Sequence, residues 1–240
     1  MNGNYQTAQG FINIEGQSFA NKLRAPILVL NPRGVAGSEG SSRTVSSKGL
    51  VRDAEAALQY LESQKHVKEI ITWGWSLGGG ILGEALSRHK FHPQIKYQSV
   101  FDRTFTKLST ESGEILTRKI KSQRIRHALK GILSFVVKRL GWELETLSGA
   151  NNGQHQTIFT YTDYDEMIGE SARTTDENLK SKSIKPLELN SWQASHTTPL
   201  DTIYDWGDKP FGDLDTTMLD VIALRLGISN IKYNPSEFSN

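Results

Sequence analysis

The 240-residue sequence contains no cysteine. Disulfides and thiolate metal centres are therefore excluded. Neither sign of charge is in excess: 28 Lys and Arg face 26 Asp and Glu, a formal net charge of +2. That balance carries no electrostatic footprint for nucleic acid, and no nucleic-acid partner is expected. No apolar run approaches the ~18–20 residues that cross a bilayer. The first ten residues, MNGNYQTAQG, lack the apolar stretch of a secretory leader. Internal repeats and low-complexity tracts are also lacking.

What is present is a repeated order of strand, turn and helix. Pro26-Ile27-Leu28-Val29-Leu30 reads as a short buried strand. Residues 31–47, rich in Gly and Ser, read as a loop. Apolar residues at 50, 51, 54, 57, 58 and 61 have helical spacing and predict a helix over 50–64. Strands are predicted at 69–73, 95–101, 157–161 and 187–189, with β-branched and aromatic enrichment. Helices are predicted to about residue 88 after the second strand, over 112–146, around 166–179 and over 214–225. This alternation implies a mostly parallel sheet covered by helices on both faces, an α/β fold in one domain spanning 1–240. Such sheets gather function at the carboxyl ends of their strands.

Gly74-Trp75-Ser76-Leu77-Gly78 matches G-x-S-x-G, with an apolar strand before it and a helix after it. The turn holds the serine in a strained conformation with Oγ projecting from the sheet. Larger side chains two residues away would collide, so glycine is needed there. Gly79 and Gly80 let the helix approach neighbouring strands closely. A generic glycine turn and a phosphate-binding loop are the competing readings. A dinucleotide loop wants glycine where Ser76 stands, and a P-loop wants a Gly-Lys-Ser/Thr ending. Ser76 is therefore read as a nucleophile. The N–H of Leu77, at the helix N-terminus, would be one oxyanion donor.

Over nearly its whole length the chain resembles the α/β-hydrolase superfamily. The resemblance rests on the nucleophile turn and on Asn31-Pro32-Arg33-Gly34-Val35-Ala36-Gly37-Ser38-Glu39-Gly40 with the following LVRDAEAALQYL. Asn-Pro before Arg-Gly, and Phe101-Asp102-Arg103-Thr104-Phe105 after a strand, are similar to an uncharacterised chlamydial-type branch. The resemblance implies a triad in the order Ser, acid, His. Of the histidines at 66, 89, 92, 127, 155 and 196, only His196 follows the final strand, in WQASHTTPL, where the base belongs. The acid should follow TIFTYT, where Asp163 and Asp165 compete. Asp165-Glu166-Met167-Ile168 fits the family's D-x-x-I pattern, so Asp165 is taken and Glu166 is read as solvated. The second oxyanion donor is expected from a loop resembling Asn2-Gly3-Asn4, through the Asn4 N–H. A strand should precede that loop and lie between 27–30 and 69–73. The expectation is thus an amino-truncated hydrolase whose first strands are missing, with a gap or collapse between those two strands.

Residues 118–140, RKIKSQRIRHALKGILSFVVKRL, carry eight Lys or Arg and no acid. Apolar residues at 125, 129, 132, 133, 136 and 140 form a stripe. The segment falls in a helical cap expected at about 109–150. Two readings compete: an anionic lipid surface or acidic substrate contact, and a core-facing helix with a solvated basic face. The core-facing reading is taken, since most such stripes are core. The acidic stretch 205–215 reads as surface. The implied chemistry is cleavage of a carboxylic ester, thioester or amide in a small ester, lipid or peptide substrate, with no cofactor and no metal. A non-catalytic binding or scaffold protein on the same fold is the rival reading.

Overall fold

The computed structural model describes residues 7–40, 45–150, 155–179, 186–189, 194–204 and 216–228. In chain order the elements are α1 (Ala8–Phe11), a π-helical turn (Ile12–Gly16), α2 (Gln17–Leu23), α3 (Ser47–Glu62), β1 (Glu69–Trp75) and α4 (Leu77–Arg88). Then come β2 (Lys96–Asp102), α5 (Leu108–Thr117), α6 (Gln123–Arg139), α7 (Leu147–Ala150) and β3 (Gln156–Tyr161). A 3-10 turn (Glu170–Ala172), α8 (Asp176–Leu179), β4 (Leu187–Glu188) and α9 (Met218–Arg225) complete the described chain.

Helix starts follow local chemistry. Ser46 Oγ accepts the Gly49 N–H and opens α3. Thr217 and Asp220 form a reciprocal capping box at α9. The strands make one parallel four-stranded sheet in the order β1-β2-β3-β4. Residues alternate between faces along each strand. Val100 and Ile158 pack with Phe19, Leu219 and Ile222 of α2 and α9 on one face. Ile70, Phe101 and Phe159 pack with Leu58, Leu82 and Leu86 of α3 and α4 on the other. The chain thus has a layered α/β architecture, a parallel sheet between two layers of helices.

Several expectations need correction. Segment 26–30 forms no strand and pairs with no described strand, and Ile27 and Leu28 are exposed. An apolar run becomes a strand only beside a partner, and none is in place. A cavity of about 740 Å³, lined by this segment with Phe19, Leu58, Ile70 and Trp73, separates it from β1. Arg33, in the loop that follows, grips α3 through a fork onto Asp53 at 2.6–3.1 Å. The helical region expected over 112–146 consists of α5 and α6, with a break at 118–122 and no helix over 140–146. Of the helix predicted around 166–179 only the 3-10 turn (Glu170–Ala172) and the short α8 (Asp176–Leu179) form, and its start is a turn in which Asp165 Oδ1 accepts the N–H groups of Met167 and Ile168, at 2.9 and 2.7 Å. An aspartate bonding its own downstream backbone competes with helix formation. Finally, α6 does not face the core: none of its residues is buried. Asn2-Gly3-Asn4 and the stretch 205–215 lie outside the described residues.

Candidate active site

The site stands on the carboxyl ends of β1, β2 and β3. Ser76 occupies the turn between β1 and α4 at φ 53° and ψ −122°, a region a non-glycine residue enters only under strain. The surroundings enforce it. The Ser76 N–H donates to the Asp102 carbonyl (3.0 Å), and the Ser76 carbonyl accepts from Thr104 Oγ1 (2.6 Å). The glycines make the turn possible: a Cβ on Gly74 would lie 2.7 Å from Gly79 Cα, and one on Gly79 would lie 2.5 Å from Thr104 Oγ1. Leu77 is the first residue of α4, so its N–H has no intrahelical partner and the helix dipole points there.

His196 and Asp165 meet. Nδ1 of His196 lies 3.0 Å from Oδ2 of Asp165, and both residues are buried. An ionised Asp165 accepts the Nδ1–H and leaves Nε2 unprotonated. The other Asp165 oxygen is held by the turn N–H groups of Met167 and Ile168. Asp163 is exposed. Glu166 is more than a solvated neighbour: its carboxylate accepts the His196 backbone N–H at 3.1 Å. Ser76 Oγ and His196 Nε2 make no hydrogen bond to each other. The link between the two halves is Trp75, whose indole stacks on the imidazole with centroids 5.3 Å apart and donates Nε1–H to the His196 carbonyl. Catalytic hydrogen bonds are often loose without substrate and tighten in the complex.

The sequence assigns no role to two groups, and Asp102-Arg103 enters there only as part of a resemblance. Asp102 and Arg103 form a buried bidentate ion pair at 2.9 and 3.0 Å. Arg103 Nη1 donates to the carbonyls of Ser195 and Thr198, which bracket His196. Its backbone turns at φ 41°, and its N–H donates to the Thr160 carbonyl at the end of β3. Thr160 Oγ1 donates in turn to Asp102. This kink at the end of β2 therefore touches the Ser76 turn, the acid strand and the histidine loop together. The available signal was a charged pair directly after the apolar Val100-Phe101.

The second is Glu111 of α5, whose Oε2 accepts the Gly169 N–H at 2.9 Å while Oε1 is buried without a partner. Burial pushes its carboxyl up to about 7, and the nearby Asp165 charge adds to the rise. Its signal was absent from the pattern, because α5 reads as an ordinary amphipathic helix. Of the remaining histidines, His89 pairs with Glu62 at 2.7 Å on the far side of the sheet, and burial lowers the pKa of His155.

A protein-family model described as "Chlamydia CHLPS protein (DUF818)" matches residues 10–191, a span holding Ser76 and Asp165 and ending short of His196. No curated protein matches the sequence. Among solved structures, an esterase from Exiguobacterium antarcticum is 11% identical at a TM-score of 0.53, over 82% of this chain and 83% of that one. An esterase from Pyrococcus furiosus is 16% identical at 0.52, over 76% of this chain and 66% of that one. An alpha-beta hydrolase from Vibrio vulnificus is 19% identical at 0.50, over 72% and 61%. At these identities the likeness is one of fold.

Proposed function

The chain belongs to the Chlamydia CHLPS protein (DUF818) family, and on that footing we propose that it is a serine hydrolase acting on a carboxylic ester, thioester or amide. One observation carries the reading: His196 of a buried Asp165–His196 pair stacks on Trp75, the residue before a serine held in a strained strand-to-helix turn. Hydroxyls become nucleophiles when a base takes their proton. His196 Nε2 would take the proton of Ser76 Oγ as Oγ attacks the substrate carbonyl carbon. Asp165 holds the imidazole in its tautomer and stabilises the imidazolium. The oxyanion develops near the Leu77 N–H, with Asn4 as the proposed second donor. Collapse expels the leaving group, which takes the proton from His196. Water, deprotonated by His196, then attacks the acyl-enzyme and regenerates Ser76. No cofactor is required for any of these steps.

The test is covalent labelling of the folded protein with a fluorophosphonate, with adduct mapping by mass spectrometry. An adduct on Ser76, absent from Ser76→Ala and slowed in His196→Ala, is the expected result. A folded protein that stays unlabelled would favour the non-catalytic scaffold reading.

A further inference from the structure

An amphipathic helix normally turns its apolar stripe to the core. α6 does otherwise. Its half-buried side carries Leu129, Leu133 and Val137, which face α5, where Lys130 also pairs with Glu114 at 2.5 Å. Its outer side is still apolar. Ile132 is 57% exposed and Phe135 67%, and Leu140, just after the helix, is 69% exposed, with Ile125 and Val136 beside them. At 100° per residue Ile125, Ile132, Phe135 and Val136 share one sector of about 100° with Arg139; Arg124 and Lys138 follow on its polar side, and the exposed Leu140 is the C-cap. Arg124 and Arg139 make no ion pair among the described residues. Residues 118–140 hold no acid at all.

We propose that this outer face of α6 docks on an anionic lipid surface, the helix lying in the plane of the interface. Charge complementarity selects the occupant. Phosphate-bearing headgroups match the basic border, and the acyl boundary beneath them takes up Ile132, Phe135 and Leu140. A nucleic acid would match the charge alone and leave those three side chains unused, because its affinity comes from phosphate neutralisation. Long basic side chains snorkel, so Arg139 can sit within the apolar sector and reach the headgroups. The segment that joins α5 to α6 also touches the loop carrying Asp165. Arg118, just beyond α5, donates to the carbonyls of Glu166 and Met167 on the loop that carries Asp165, and Tyr164 and Met167 of that loop are exposed. A docked α6 would hold this loop at the lipid boundary. The inference concerns a surface and stands independently of the chemistry assigned to Ser76.

The experiment is co-sedimentation of the whole protein with vesicles of phosphatidylcholine alone or of an equal mixture with phosphatidylserine. Binding is expected to the mixed vesicles at low salt, weak at high salt, and weak to phosphatidylcholine throughout. Arg124→Gln with Arg139→Gln should weaken it about 25-fold, roughly fivefold per charge near an anionic surface. Ile132→Ser with Phe135→Ser should weaken it tenfold or more while the circular dichroism spectrum is unchanged, since both side chains are exposed. Failure to bind mixed vesicles at low salt overturns the proposal. So does equal binding to both vesicle types, or binding to duplex DNA that the apolar substitutions leave untouched. A dimer in sedimentation velocity that the same substitutions convert to monomer would show that a second copy covers the face, and would also overturn it.

Discussion

His196 Nδ1 lies 3.0 Å from Asp165 Oδ2, with both residues buried, whereas Asp163, two positions earlier, is exposed. A carboxylate can orient an imidazole only by contact. Asp165→Asn should therefore lower kcat by about 10⁴, the scale seen when a triad aspartate becomes an amide. Asp163→Asn should leave kcat within a few-fold. Steady-state kinetics on a chromogenic ester would check both, and the opposite ranking would reassign the acid.

The Asp102–Arg103 pair makes a different prediction. Arg103→Met alone leaves a buried carboxylate without its partner, at a cost of about 3–5 kcal/mol. Asp102→Asn with Arg103→Met removes both charges and should restore most of that stability. The carbonyls of Ser195 and Thr198 still lose their donor. Arg103 is a positioning residue in this reading, so the double variant should recover most of its thermal midpoint and keep its KM but lose about 10² in kcat, as small misplacements do. A double variant with full kcat would reduce the pair to scaffolding.

Glu111 sets a pH dependence. Its carboxyl is raised from 4.5 to about 7, chiefly by burial. The folded state thus binds this proton more tightly than the unfolded chain. The associated stability is fully present below about pH 4.5 and is lost as pH rises through about 7, an effect of ~3 kcal/mol. Thermal midpoints of the parent should fall between pH 5 and 7.5 by more than those of Glu111→Gln, which has no proton to release. Parallel curves would show that Glu111 is not the titrating group.

Gly79 bears on the turn itself. An added Cβ would meet Thr104 Oγ1 at 2.5 Å, the same hydroxyl that holds the Ser76 carbonyl. Gly79→Ala should cost about 1–3 kcal/mol in urea unfolding, the usual range for overpacking. It should also slow fluorophosphonate labelling of Ser76. Unchanged labelling with lowered stability would separate the packing role from the site.

The sequence by itself determined the local and periodic features. The Gly74-Trp75-Ser76-Leu77-Gly78 turn, the strands expected at 69–73, 95–101 and 157–161 and the helices expected over 50–64 and up to about 88 follow from glycine sterics and hydrophobic patterning, and they form within a few residues of those bounds. Those signals are short-range, so a single chain carries them legibly. Tertiary structure decided whatever depends on a partner distant in the chain. Residues 26–30 have the composition of a strand but lack a neighbour to complete the ladder, so they remain unpaired. The stripe of α6 has helical period, yet only packing decides which side faces inward, and its outer side meets solvent with Ile132 and Phe135 upon it. The D-x-x-I pattern already favours Asp165 over Asp163, but the contact of Asp165 with a histidine 31 residues away exists only in the folded chain. The roles of Arg103 and Glu111 turn on buried polar contacts with Thr198 and Gly169. Burial and hydrogen-bond satisfaction are properties of the assembled chain, and no local pattern in a sequence encodes them.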